Sequence, residues 1–424
     1  MENFVLKGDI CHTPVLGRLD VAKNGCLVCL GGKSAGIYTE LPEIYRTLPQ
    51  MDFTGKLIVP GLVDLHTHAS QYAFRGIGMD RELLDWLENC AFREEAKYAG
   101  RAYAGEAYGI FMDDLKRSAT TRAVIYATLH TNSTITLMNL AEKSGLKTFV
   151  GKVNMDRNSP PQLSEGSPEA ALSETVRWLD ESRKRAYCNT QPILTPRFIP
   201  SCSDRLLDGL GRLQVERGLP VQSHLSENHG EIQWVAELCP QAEFYGDAYQ
   251  RFGLFGGGVP TVMAHCVHSS EKEIARMRER QVYVAHCPQS NANLSSGIAP
   301  IRRYLDERLR IGLGSDVAGG ASLSIFRAMT DAIQESKLRW RLVDQSLIPL
   351  TMEEAFYLAT KGGGSFFGKV GSFEEGYELD ALVLDDSSLR HPQPLSVRER
   401  LERFLYLSPD HHISHKFVAG DQIF

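Results

Sequence analysis

Two histidines one residue apart, His66 and His68, end the apolar run GLVDLHTH. In a strand, residues i and i+2 point the same way, so these imidazoles share one face. Later apolar runs end in side chains of the same kinds. SHLSEN carries His224 and Glu227, MAHC carries His265, and GLGSD carries Asp316. Imidazoles and carboxylates are the groups that bind divalent ions and move protons. Each has an ordinary reading when taken alone. A strand-end histidine is usually a hydrogen-bonded core residue, and a GSD triplet is usually a turn and helix cap. Occurring together at four strand ends, they are better explained as one shared site. Three neutral imidazoles and a carboxylate suit zinc with a position left open for water, and the same set suits iron(II). Glu227, three residues past His224, can stand beside the ion without binding it, which is the place of a general acid and base.

The elements that must position these groups alternate along the chain. Apolar, β-branched runs lie at 57–68, 120–130, 147–155, 190–198, 219–227, 261–267, 282–288 and 310–316. Helical stretches separate them, among them 167–186, 203–218, 270–281 and 324–340. Strand followed by helix, repeated, predicts a parallel sheet covered by helices. Eight such strands predict an α/β chain built on a closed (β/α)8 TIM barrel, whose sites form at the C-terminal strand ends. An open doubly wound sheet is the structural alternative, because the order of runs does not show closure. The two ends differ from the middle. FVLKGDI, CLVCLGG and SAGIYTEL near the start, and YELDALVLDD and HKFVAGDQIF near the finish, read as antiparallel hairpins. The expected layout is a barrel over 57–373 and a small β-sandwich made jointly by 1–56 and 374–424. The stretch 81–109, RELLDWLENCAFREEAKYAGRAYAGEAYG, is expected to be helical and to lie above the barrel mouth.

Composition narrows the function classes. The chain has 424 residues, a net charge of -6, 43% hydrophobic and 23% charged residues. A mildly acidic surface does not suit phosphate backbones, which argues against nucleic acid as a partner. Nine scattered cysteines read as reduced thiols of a cytosolic protein and suggest no disulfide framework. Glu2, Lys7 and Asp9 interrupt the apolar residues at the start, so a signal peptide is not expected, and no window has the length of a membrane span. The expected setting is the cytoplasm.

The segments HTHASQYAFRG, LLDWLENCAF, TPRF, QSHLSEN, MAHC, AHCPQSNANLSSG, GLGSDVAGG and FLYLSPD together resemble the amidohydrolase superfamily, and within it the aminohydrolases that act on guanine. The resemblance implies a metal-bearing barrel with a flanking β-sandwich and one zinc ion per subunit, iron(II) being the other candidate. It implies His66, His68, His224 and Asp316 as ligands. Glu227 would be the proton shuttle, His265 would lie beside the attacking water, and Asp316 would also take that water's proton. The substrate contacts it implies are His68, Ala69, Ser70, Gln71, Arg197, Phe198, His224, Glu227 and Asp316. The implied reaction is hydrolytic deamination at C2 of guanine, giving xanthine and ammonia. Guanine and water would be the partners, and the assembly a homodimer. The side-chain chemistry agrees: Arg197 can donate to a ring carbonyl, Gln71 offers a donor and an acceptor to a purine edge, and Phe198 can pack on a flat ring. Related aminohydrolases acting on cytosine, a triazine or an adenosine derivative would share the metal set, and a non-catalytic scaffold relative is the alternative from another class.

Other signals fall away. His286 ends the seventh run and reads as a structural residue. His229 and Glu231 form an H-x-E, but the matching P-C-x-x-C is absent. GGKSAG lacks the spacing of a phosphate loop. His411, His412 and His415 read as exposed tail residues.

Overall fold

Several helices begin where a serine can cap them. Ser167, Ser203, Ser270 and Ser324 each accept a backbone N–H of the first turn, opening Pro168–Arg185, Asp204–Arg217, Glu271–Glu279 and Ile325–Leu342. The structure, a computed structural model, describes residues 3–407 and 412–424. Between the helices run the parallel strands Leu62–His68, Thr120–Tyr126, Lys147–Gly151, Thr190–Pro192, Val221–Leu225, Thr261–His265, Tyr283–His286 and Arg310–Leu313.

Backbone bonds at two seams decide between barrel and open sheet. Leu194 bridges in parallel to Val221, joining the fourth strand to the fifth. The Asp316 N–H donates to the His66 carbonyl at 2.8 Å, and the His68 N–H donates to the Val317 carbonyl at 3.0 Å, joining the eighth to the first. The sheet is therefore a closed barrel. Its lower interior is filled by Val63, Leu65, Val124, Ile193, Val262 and Ala285.

Two sequence expectations need correction. The run 57–68 is not one strand. Its first residues finish the strand Gln50–Pro60, which pairs with Ala381–Leu384, and only Leu62–His68 enters the barrel. The break falls at Gly61, where a Cβ would come within 2.3 Å of the Thr121 side chain. The stretch 81–109 also divides. Residues 83–99 form short helical turns over the barrel mouth, whereas Arg101–Arg117 is the helix that leads back to the second strand. That helix buries Ala104, Ala107, Tyr108, Phe111 and Leu115 at helical spacing, so it packs on the barrel flank.

Strands from both ends of the chain form one seven-stranded sheet. Phe4 and Phe417 lie on strands three places apart, yet their rings meet at 5.4 Å. A flat sheet would hold them about 14 Å apart, so the sheet folds over into a sandwich. A bridge from Lys33 to Glu378 brings its far edge round. Cys26 and Cys29 have the C-x-x-C spacing, but they share a strand and bury on opposite faces, so both are free thiols. The barrel is tied to this sheet by the buried Arg122, whose Nε donates to Asp380 Oδ2 at 2.7 Å and whose Nη2 donates to Glu378 at 2.7 Å. No helix among the described residues is long and apolar enough to cross a membrane.

Candidate active site

The first and eighth barrel strands are held in register by one carboxylate. Asp64 accepts from the His66 N–H at 3.1 Å, from the Ser315 N–H at 3.0 Å and from Ser315 Oγ at 2.6 Å. His66 and Asp316 thereby lie side by side. Burial pushes the Asp64 carboxyl up to about 7, against the pull of those donors.

At the strand ends the ligand atoms converge. Nε2 of His68 lies 3.1 Å from Nε2 of His66 and 3.4 Å from Nε2 of His224. Asp316 Oδ1 lies 3.1 Å from His66 Nε2 and 3.2 Å from His68 Nε2. Tetrahedral zinc with bonds of about 2.0–2.1 Å spaces its ligands about 3.3 Å apart, so these four groups fit an ion between them. Neutral imidazoles have lone pairs to offer it. Burial lowers the His66 pKa to about 4, and burial with the neighbouring imidazoles holds His224 well below its ordinary value. Burial alone would raise Asp316, but His66 and His68 more than reverse this and hold it well below the usual carboxylate range. The His224 Nδ1–H donates to the Arg197 carbonyl at 2.6 Å, which turns Nε2 toward the cluster.

His265 stands at the edge of the cluster, its ring nitrogen grouped with His66 and Asp316 within reach of one ion. Its Nε2 is 3.7 Å from Asp316 Oδ2 and 3.4 Å from Glu227 Oε2. Its Nδ1 bonds Asn291 Oδ1 at 2.9 Å. Glu227 is fixed by Ser296 Oγ, which donates to Oε1 at 3.0 Å. Burial first, and the charge of Asp316 second, push the Glu227 carboxyl up to about 8. A carboxyl of that kind holds a proton at neutral pH and can give it up.

A small buried pocket opens on this cluster. Gln71, Arg197 and Phe198 line one wall, Leu83, Trp86 and Leu87 form the cover, and Leu294 and Glu231 complete it. Gln71 and Arg197 are both buried, and both are bonded to the Glu95 carboxylate behind the wall. Ser70 turns its hydroxyl to the Ala127 carbonyl at 2.8 Å, and Ala69 is buried beside it, so neither side chain faces the pocket.

The sequence reading missed four contributors. Asn291 and Ser296 are recognisable only through the side chains they hold. Glu95 sits in a helical stretch that periodicity cannot aim at a site. Glu231, set aside with the H-x-E, faces the pocket, where burial and Glu227 raise it to about 7. Its partner His229 is exposed and stacks on His268 at 3.9 Å. His286 is buried outside the ligand cluster. His412 and His415 are half-buried rather than exposed, His415 packing on Phe53 at 4.7 Å. His411 and the end of FLYLSPD lie outside the described residues.

Known proteins share this arrangement. Residues 57–423 match the Amidohydrolase family. Guanine deaminase of Dictyostelium discoideum is 34% identical over 446 residues, spanning 99% of this chain and 98% of its own length. Guanine deaminase of Homo sapiens is 37% identical over 382 residues, spanning 87% of this chain and 83% of its own. The crystal structure of guanine deaminase from C. acetobutylicum with bound guanine in the active site superimposes with a TM-score of 0.96, at 47% identity over 100% of both chains. This chain belongs to the amidohydrolase family, within the group formed by the guanine deaminases.

Proposed function

We propose that this chain is a hydrolase of C–N bonds that deaminates guanine at C2, giving xanthine and ammonia. The observation that carries the reading is that Gln71 and Arg197 line the same pocket as the ligand cluster, in a chain superimposable on a guanine deaminase holding guanine.

The roles follow from the side chains. His66, His68, His224 and Asp316 would hold one zinc ion, with iron(II) as the other ion the set accepts; their spacing supports this. Such an ion, when bound, lowers the pKa of a water to about 7 and so supplies a nucleophile at neutral pH. Arg197 donates to the C6 carbonyl of guanine, and Gln71 meets the same edge with a donor and an acceptor. Phe198 packs against the ring, where its own ring already meets Trp234 edge-on at 6.1 Å. Asp316 takes a proton from the attacking water. Glu227 gives its proton to the ring nitrogen next to C2, recovers one by way of Asp316, and delivers it to the departing amine. As the amine leaves, the proton on the new C2 hydroxyl passes to Glu227, which forms the carbonyl and restores the acid. His265, oriented by Asn291, hydrogen-bonds the attacking water. Ala69 and Ser70 act through the backbone that carries His68 to Gln71.

The wider setting belongs to the same reading. The barrel unit is taken as 57–373, flanked by 1–56 and 374–424, whose strands share a sheet. Nine free cysteines suit a cytoplasmic enzyme of purine catabolism or salvage, and the family resemblance supports a homodimer. Ammonia release from a panel of guanine, cytosine, triazines and adenosine derivatives, on metal-replete protein, tests the function. Turnover of guanine is expected; turnover of another member with none of guanine would overturn it.

A further inference from the structure

We propose that Glu95 is a positioning residue that sets the pocket's preference for a neutral purine over an ionised one. The proposal rests on the guanine reading above and names what enforces it.

Glu95 does not line the pocket; it stands behind two residues that do. Its Oε1 accepts from Gln71 Nε2 at 2.7 Å, and its Oε2 accepts from Arg197 Nη1 at 2.5 Å. All three side chains are at most 3% exposed. Gln71 Oε1 in turn accepts from the Ala318 N–H at 3.2 Å. A carboxylate only accepts and a backbone N–H only donates, so the Gln71 amide has one orientation that satisfies both. A flipped amide would set its oxygen against Glu95 and its NH2 against an N–H. Gln71 therefore shows the pocket one N–H and one carbonyl lone pair in fixed places. Phe92, on the same short helical turn as Glu95, lies 5.0 Å from the Arg197 guanidinium and holds its plane.

The second effect is charge. A buried guanidinium without a counter-ion draws anions strongly, because little solvent screens it. Guanine enters neutral. The dioxopurine left after deamination has a ring N–H flanked by two carbonyls, and it ionises more readily. Glu95 cancels the Arg197 charge, so Arg197 acts as a directed donor rather than an anion trap, and the ionised product is not held.

Two variants separate position from charge. E95Q keeps the size of the side chain but removes the charge and frustrates the Gln71 amide. Its KM for guanine is expected to rise about tenfold with a smaller change in kcat, and xanthine inhibition, relative to that KM, to tighten about tenfold. E95D keeps the charge but withdraws it by one methylene. Its KM is expected to rise while the ratio of xanthine inhibition constant to guanine KM stays near that of the unaltered chain. Metal content and thermal midpoint are measured alongside. An unchanged ratio in E95Q, or a shifted ratio in E95D, would overturn the proposal; if E95Q does not fold, E95D decides alone. Guanine turnover by the unaltered chain reports on the function reading separately, and its absence would remove both.

Discussion

Glu227 Oε2 lies 3.4 Å from Nε2 of His265, and each residue is anchored on its far side, Glu227 by Ser296 and His265 by Asn291. The pair is aimed at the open side of the ligand cluster, yet the Glu227 carboxyl is not among the groups of atoms close enough to hold an ion. Glu227→Gln should therefore keep the metal and lose turnover. General acid and base catalysis contributes about 10²–10⁴-fold, so kcat should fall by that factor. Metal analysis beside steady-state kinetics checks it; a variant with normal turnover would remove Glu227 from the mechanism.

Asn291 offers a milder test of the same machinery. Its Oδ1 accepts from the His265 ring at 2.9 Å, and its own Nδ2 has no partner among the described residues. Asn291→Ala frees the imidazole to rotate. Loss of such an outer partner costs about 10–100-fold in activity or metal affinity. Here the loss should fall on kcat, with metal content unchanged, because Asn291 orients His265 and none of the four ligands. Equal loss of metal and activity would place His265 among the ligands.

How far the sequence could be read depended on whether a residue's role was local. His66 and His68 were legible because a strand repeats every two residues, and His224, Glu227, His265 and Asp316 because each closes an apolar run. The helical stretches beginning at 167, 203, 270 and 324 were legible for the same reason, and the structure shows a serine capping each. Closure was predicted from the count of eight runs, but the bonds that make it, such as Asp316 to His66, 250 residues apart by subtraction of their numbers, are not local and only the structure shows them. Glu95 was not legible either. Its spacing fits an ordinary helix face, and only the fold brings it behind Gln71 and Arg197. The break at Gly61 was hidden because two apolar strands meet there without a polar turn.

Removing the ion should affect stability as well as rate. His66, His68, His224 and Asp316 are buried with their ligand atoms 3.1–3.4 Å apart where contacts are formed. An ion that binds only the folded chain stabilises it by about 2.7 kcal/mol at a free concentration of a hundred times Kd. Exhaustive chelation should abolish turnover and lower the thermal midpoint, and added zinc should restore both. A midpoint indifferent to chelator and zinc would argue that the cluster holds no ion in the folded chain.

Stability should also fall at alkaline pH through a group remote in sequence from these ligands. Glu335, on the helix Ile325–Leu342, is 8% exposed and its Oε2 has no hydrogen-bond partner among the described residues. Burial, with Asp331 one turn away, pushes its carboxyl up to about 9. The unfolded chain releases this proton near the ordinary glutamate value, whereas the folded chain keeps it until about pH 9. Between those values the folded state binds more protons, so stability is full below the lower value and drains away as pH rises through the window. The loss is on the order of a few kcal/mol at its alkaline end. Glu335→Gln is neutral in both states and removes the slope. Urea midpoints at pH 6 and pH 9 should differ less in the variant than in the unaltered chain, and the variant should be the more stable at pH 9. Equal slopes in the two proteins would show that Glu335 is not the titrating group.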